Sequence, residues 1–329
     1  MAAPDMPRLS VRPEAATPGA RVDLSAATAK FQPGIPEVRI GDLGARVVFA
    51  SPSRVGIVVP EGTPGGWQKV AIEGLDAEGR VLVGRPLVSG VHQVDSPVFD
   101  REGNLFVTDS GSRGEEVPVS IFKVTPDGGR EPFVSGIINA TSLAFDRAGD
   151  LFVSSRFEGT VYKVRRDGSR EVAATDLGVA CGLAFTRDGD LLVGDRSGTV
   201  LLVDRSGRAR RLTSLPPSPA AYHLALGPDG MLFVTAPTLS ARDPVFRIDM
   251  EGHVEQYFTR FGRPQGLAFD GFGRLHACDA LAGSSGVFLL EDGARATQVA
   301  AGTALIGVTF DPWGHLVACT NDTVYSFAP

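Results

Sequence analysis

The sequence predicts an all-β protein, a six-bladed β-propeller preceded by a small β-sandwich. Three observations lead there. One phrase, an apolar strand, Asp-x-x-Gly-x-Leu and a second apolar strand, recurs along residues 96–320. Turn formers are abundant, with 40 Gly and 23 Pro among 329 residues. No segment with a 3.6-residue apolar period occurs inside a repeat, which excludes leucine-rich, ankyrin and other helical arrays.

The copies read SPVFDREGNLFVTD at 96–109, SLAFDRAGDLFVSS at 142–155 and GLAFTRDGDLLVGD at 182–195. They continue as HLALGPDGMLFVTA at 223–236, GLAFDGFGRLHACD at 266–279 and GVTFDPWGHLVACT at 307–320. Their turn glycines are Gly103, Gly149, Gly189, Gly230, Gly273 and Gly314, at successive spacings of 46, 40, 41, 43 and 41. A period near 42 with four short strands per unit is the mark of a propeller blade. In the second unit SLAF is strand a, DLFVSS strand b, TVYKV at 160–164 strand c and REVAAT at 170–175 strand d. β-branched and aromatic residues fill these strands, and Gly and Asp stand where a turn needs φ > 0.

The last unit ends on strand c, at TVYSFAP, with no strand d after it. The missing strand stands ahead of the first unit. RPLVSG at 85–90 precedes Phe99 by the same offset as EPFVSG at 131–136 precedes Phe145. Residues 81–90 are therefore expected to pair with Val324–Phe327 and to hide a sheet edge. Residues 7–76 lie outside the repeat and read as short alternating strands with Pro/Gly turns, which suggests a small sandwich. The expected domains are a sandwich over 1–80 and a propeller over 81–329, close to the two that the length suggests at about 150 residues each.

Composition removes several classes. Apolar residues make up 43%, enough for a packed core, and charged residues 21% with a net charge of −6. That balance fits neither a disordered acidic tail nor a protein with the basic face that nucleic acid requires. The RSGRARR turn at 205–211 is too isolated to change this. No apolar run approaches the roughly 20 residues of a membrane helix. The start MAAPDMPRLS shows no signal-peptide pattern, so the default expectation is cytoplasmic, or extracytoplasmic after removal of a leader. Cys181, Cys278 and Cys319 are odd in number and form no CxxC, which excludes a disulfide framework and a cysteine zinc site. The glycine-rich stretches are hairpin turns rather than phosphate-binding loops.

Both parts resemble known families. Residues 1–80, with Pro18-Gly19 before RVDLS, then PEVRIGDLGARVVFASPSRVGIVVPEG and Gly65-Gly66, resemble an IPT/TIG immunoglobulin-like domain. The G-L-A-F-D-x-x-G-x-L-F-V-x-D repeat resembles the NHL-repeat and gluconolactonase/regucalcin-like six-bladed propellers. That resemblance implies a fold more than an activity, because such propellers include lactonases, lyases and binding modules.

In a propeller strand a lines the channel, and the b–c and d–a loops share one face. Here the b–c gaps differ most: 12 residues from Asp109 to Ile121, 9 from Ala236 to Val245, and 4 from Thr320 to Val324. Function tends to sit on such loops, although insertion tolerance alone also makes them vary. The start of strand a gives one ring: Asp95, Thr141, Cys181, Tyr222, Gln265 and Ile306. The end of strand b gives a second: Asp109, Ser155, Asp195, Ala236, Asp279 and Thr320. Asp109, Asp195 and Asp279 near one axis suit a cation or a polyol. The competing reading is that each carboxylate accepts from the backbone of the next loop.

The gluconolactonase-like resemblance implies a divalent cation held by oxygen ligands at four strand-a starts. Here those positions are Asp95, Cys181, Tyr222 and Gln265, of which only Asp95 is a hard anionic ligand. The lyase resemblance implies a His/Glu cluster, and His223 and His276 have no glutamate at either ring. Cys181, His223 and Asp95 form a conceivable zinc set. Cys181 with His223 is the one thiol–base pair, provided the two face each other. Alternation points His223 away from the channel if Tyr222 points in. Cys278 and Cys319 read as core, and Trp67 and Trp313 as packed aromatics or partner anchors.

The expected function is therefore non-catalytic recognition of a protein, glycan or small molecule at the channel face. The channel ring Asp95, Thr141, Cys181, Tyr222, Gln265, Asp109, Asp195 and Asp279 is the candidate binding set. No cofactor is expected, a divalent cation such as calcium being the disfavoured alternative, and neither nucleic acid nor a membrane span is expected. The alternative is a metal-dependent lactone or ester hydrolase with a diverged metal site.

Overall fold

The computed structural model describes residues 9–26, 31, 34–280 and 285–329. Among these every regular element is a strand. Nine strands precede the repeat: β1 (Leu9–Arg12), β2 (Ala15–Ala16), β3 (Arg21–Ala26), β4 (Val38–Ile40), β5 (Leu43–Ala50), β6 (Val55–Val58), β7 (Gly66–Ile72), β8 (Glu78–Val83) and β9 (Arg85–Val88). The repeat then lays down strands a to d unit by unit. In the second unit these are Ala140–Phe145, Leu151–Ser155, Thr160–Val164 and Arg170–Ala174, antiparallel in that order. This follows the boundaries read from the sequence to within two residues.

The molecule is a β-propeller. Its blades are not six equal and separate sheets, as expected, because five four-stranded sheets stand free. The strands of the fifth unit, Pro264–Phe269, Leu275–Asp279, Gly286–Glu291 and Arg295–Ala301, end a twelve-stranded sheet. The cause is β2, which pairs in parallel with β8 on one side and with strand d of the fifth unit on the other. Ala15 faces both Leu82 and Ala300, and Ala16 faces both Val83 and Ala301. The same pairing joins the N-terminal strands to the propeller sheet, so the expected Ig-like domain does not stand out as a distinct unit. The N-terminal strands have their own core, including Leu24, Ile40, Ile57 and Val81, but Ala301 of the fifth unit belongs to it. A sheet edge that would have bounded a separate sandwich is instead hydrogen-bonded to the propeller.

Closure occurs as the sequence implied. β9 is the outer strand of the last blade, with Val88 opposite Val324, Pro86 opposite Tyr325 and Arg85 opposite Ser326. Apolar cores fill each interface between neighbouring units and return from the last to the first, where Val88 and Val107 pack with Val317 and Cys319. Each buried Leu or Val in them contributes about 1.5–3 kcal/mol relative to exposure.

Two kinds of glycine hold this geometry. The six turn glycines all have positive φ, between 76° at Gly273 and 89° at Gly189. Gly182 is different, since its backbone is ordinary but an added Cβ would lie 2.5 Å from Tyr222 O. It stands one residue before the strand-a Leu183, where the other units have Ser96, Ser142, His223, Gly266 and Gly307. Small residues are needed there because neighbouring inner strands nearly touch. Ser96 and Ser142 spend their hydroxyls as acceptors from Val308 N at 3.2 Å and Leu183 N at 3.1 Å. Gly266 N donates to Ile306 O at 2.9 Å.

Two predictions follow from these contacts. Deleting residues 1–76 should leave a cooperative β-rich melt at a lowered temperature, because β9 remains. Deleting 1–91 should abolish it, because the last blade loses its outer strand; equal melting curves by circular dichroism would refute the closure. Gly149→Ala should cost about 1–2 kcal/mol through its φ alone, and Gly149→Asn less. Gly182→Ala should cost about 1–3 kcal/mol through overcrowding, and Gly182→Asn more. Urea titration reads the two orders.

Candidate functional site

Three side chains from three units meet in the channel. His223 Nδ1 lies 2.6 Å from Asp95 Oδ1, and His223 Nε2 lies 3.1 Å from Gln265 Oε1. Asp95 precedes strand a of the first unit, His223 begins strand a of the fourth, and Gln265 lies in strand a of the fifth. The pair Asp95–His223 spans the ring, with two other units between them along the chain. All three residues are buried, His223 to 1% exposure. Nδ1 donates to the carboxylate, whose Oδ1 also accepts from Ser96 N at 2.7 Å.

This reverses the expected orientation of His223, and the reason is Tyr222. Its ring packs against the third blade, where an added Cβ on Gly194 would lie 2.8 Å from Tyr222 Cβ. Its hydroxyl donates to Pro216 O at 2.6 Å. Gly194 thus opens a niche for the phenol, and alternation then sends His223 inward. Cys181 lies in the same apolar cluster as Tyr222, so neither joins Asp95 and Gln265 in the channel. Cys181 and His223 do not form a thiol–base pair. Burial pushes the Cys181 thiol up to about 12, against the opposing pull of the Arg196 guanidinium. Burial also raises Cys278, Cys319 and the Tyr222 phenol.

The remaining ring residues are tied to backbone. Thr141 Oγ1 donates to Asn139 O at 2.8 Å. Asp195 Oδ1 accepts from Val179 N at 2.9 Å and Ser197 N at 3.0 Å, and Oδ2 accepts from the Ser197 hydroxyl. Asp279 accepts from Arg263 N at 2.8 Å and Gly262 N at 3.2 Å. These two carboxylates brace d–a loops. Asp109 is half-buried, beside an isolated parallel bridge to His92. The three aspartates therefore do not converge as one ligand set. Ile306 carries the sixth position of the ring and lines the mouth described next.

Above the Asp95–His223–Gln265 bridge, on the b–c and d–a loop face, opens a cavity of about 540 Å³. It is walled by Arg156, Arg196, Arg263, Gln93, Gln265 and Thr303, among others. Sequence reasoning missed the arginines and Gln93. Each arginine lies just beyond a strand end, at a position where residue type varies from unit to unit. The two longest b–c loops serve other ends. Asn139 pins the first by accepting from Gly114 N at 2.7 Å and donating to Ser112 O at 2.7 Å. Asp243 closes the other on Thr238, accepting from its hydroxyl at 2.6 Å. A second cavity, of about 530 Å³, opens on the a–b turn face among Phe99, Phe106 and Phe145. Trp313 and Trp67, read as packed aromatics or partner anchors, are 65% and 39% exposed, and Arg80 lies over the Trp67 ring at 4.2 Å.

The donor set at the four metal positions does not suit a hard divalent cation. Asp95 is held by His223 and Ser96, Gln265 by His223, and Cys181 and Tyr222 face an apolar core with their protons retained. Such a cation wants six or more oxygens. Among the described residues no group of three or more His, Cys, Asp and Glu is arranged to hold a metal ion. Among them, too, no helix is long and apolar enough to cross a membrane.

No protein-family model matches the chain, and no curated protein does. Solved structures of similar fold are β-propellers. An auxiliary nutrient binding protein from Bacteroides ovatus is 13% identical at a TM-score of 0.55, over 97% of each chain. A gluconolactonase from Xanthomonas campestris is 16% identical at 0.61, over 90% of this chain and 99% of its own. Virginiamycin B lyase from Staphylococcus aureus is 13% identical at 0.52, over 74% of this chain and 87% of its own. At such identities the likeness shows the fold.

The thiols give a direct check. With Cys181 raised to about 12, the native chain keeps a proton that the unfolded chain loses above the ordinary thiol pKa of about 8.5. Stability should therefore fall as pH rises from there toward 12, and less steeply in Cys181→Ala. At pH 8 all three cysteines should resist a disulfide reagent until guanidinium is added; rapid reaction of native Cys181 would contradict its packing.

Proposed function

We propose that the protein is a non-catalytic binding propeller that takes a small soluble ligand at the channel mouth. The observation that carries this is the Asp95–His223–Gln265 bridge beneath an open cavity of about 540 Å³. The bridge engages the Asp95 carboxylate that a catalytic cation would need, and it holds Gln265, the member of the three that lines the cavity. A concave site of this size with a few convergent polar groups is the usual form of a small-ligand pocket. Nutrient-binding chains are among the structures of similar fold and are in keeping with this reading, while the likeness over the N-terminal strands is shared with a streptogramin B lyase.

Within this reading residues 1–80 form an IPT/TIG-like layer and residues 81–329 an NHL-type propeller of six repeat units. The layer acts as a support for the fifth unit. The alternative, a lactone or ester hydrolase, has in its favour the fold likeness to gluconolactonases and the short carboxylate–imidazole pair. A base oriented by a carboxylate is a catalytic arrangement, but here Nε2 already faces Gln265.

The test is turnover of glucono-δ-lactone and aryl esters with and without calcium, manganese or zinc, beside binding of a panel of soluble sugars and sugar acids. No turnover above buffer is expected, and Thr303→Trp at the mouth should remove whatever binding is seen. Metal-dependent hydrolysis lost in Asp95→Ala would establish the hydrolase instead.

A further inference from the structure

The lining of the mouth cavity has an unusual charge balance for a chain of net charge −6. Arg156, Arg196 and Arg263 contribute to it, and no Asp or Glu does. They come from three places: the b–c loops of the second and third units, and the d–a loop entering the fifth. Among the described residues no ion pair joins any of them to a carboxylate. Asp195, next to Arg196, and Asp279 direct oxygens to backbone N–H groups of the d–a loops, and Glu158, two residues from Arg156, accepts from the Tyr162 hydroxyl at 3.2 Å. Arg196 is steadied by Pro219 O at 3.2 Å, which orients the guanidinium without neutralising it. Arg156 and Arg196 also share a second cavity of about 290 Å³, so they form a common wall between two openings. Burial, with the neighbouring Arg196 charge adding to it, pushes Arg156 below its ordinary value. Two half-buried like charges held together without a counterion are costly, and an anion between them removes the cost.

Gln93 is an independent sign of the same chemistry. It lines the cavity and is fully buried. Its Oε1 accepts from Thr108 N at 2.6 Å and from Thr108 Oγ1 at 2.9 Å. A backbone N–H can only donate, so the amide cannot be turned over, and Nε2 is the donor left over. Among the described residues Nε2 is buried with no hydrogen-bond partner. A buried donor in that state costs about 1–3 kcal/mol and calls for an acceptor. The cavity wall thus presents guanidinium groups, with an unpaired amide N–H buried behind it.

Resting on the proposal that the mouth is the ligand site, we infer that its ligand is a small oxyanion, carrying a carboxylate or phosphate group that Arg156 and Arg196 clasp, with Arg263 as a further donor. Planar guanidinium groups match both anions in a bidentate manner, which a lysine would not.

The experiment is calorimetric titration of the full chain with sodium phosphate and, separately, sodium citrate, at ionic strength fixed with sodium chloride. Glucose and glycerol serve as uncharged probes. At least one anion should bind, and which one does separates phosphate from carboxylate. Arg156→Gln/Arg196→Gln should weaken it about tenfold or more. Arg263→Gln, at an exposed position, should weaken it without altering the melting temperature of the free protein, which separates lost binding from lost folding. Failure of both anions to bind the native chain would overturn the oxyanion assignment. Glucose binding that Thr303→Trp removes and the arginine variants leave unchanged would keep the mouth as the ligand site and overturn the oxyanion assignment alone. Anion binding that survives both the arginine variants and Thr303→Trp would overturn the mouth as well.

Discussion

The close approach of the inner strands is the constraint on which the rest depends. At the residue before the strand-a apolar core, the backbones of neighbouring units are so near that a Cβ on Gly266 would lie 2.7 Å from Gly307 Cα. Only Gly and Ser fit in five of the units, and the serines are consumed as links between units. Ser154 and Thr235 add the same kind of link one strand out, donating to Cys181 O and Gln265 O at 2.6 and 2.7 Å. The ring is therefore closed by short polar contacts near its axis and by apolar clusters further out. The polar contacts fix register, and the clusters supply most of the stability.

That economy leaves little chemistry at the axis, and His223 is the exception. It occupies the fourth unit's copy of the crowded position because Tyr222 is drawn into a niche over Gly194. Reaching across, it finds a carboxylate and an amide and closes the channel. The proposed ligand site thereby lies further out, at loop positions that the repeat does not restrict. The arginines stand at such positions, each just past a strand end. A rigid ring with a plugged axis and a cationic rim is well suited to hold a ligand in place with little reorganisation.

Much of the fold could be read directly. The turn glycines, the four strands per unit and the β9 closure all follow from repeated local patterns, and each is a matter of neighbouring residues. The embedding of the fifth unit could not be read, because it rests on two alanines, Ala15 and Ala16, with no pattern of their own. The candidate site was legible only in part. Asp95 and Gln265 were found because they sit at equivalent places in the repeat. His223 was turned the wrong way because period-2 alternation gives the spacing of faces and not their parity. The parity was set by Gly194, a residue on another strand of another unit. Asp195 and Asp279 proved to be braces, as the simpler reading of an Asp after a strand suggests.

The shared β2 strand has a consequence in time rather than in space. Its partners are β8, made soon after it, and residues 300–301, made only after five of the repeat units. β9 likewise waits for residues 324–326. β2 and β9 thus keep unsatisfied edges while the intervening repeat units are made. Contacts of such long sequence separation are slow to form, and edges left open meanwhile invite pairing with other chains. The charged residues along β9 and beside it, among them Arg80 and Arg85, are well placed to discourage that pairing during the wait.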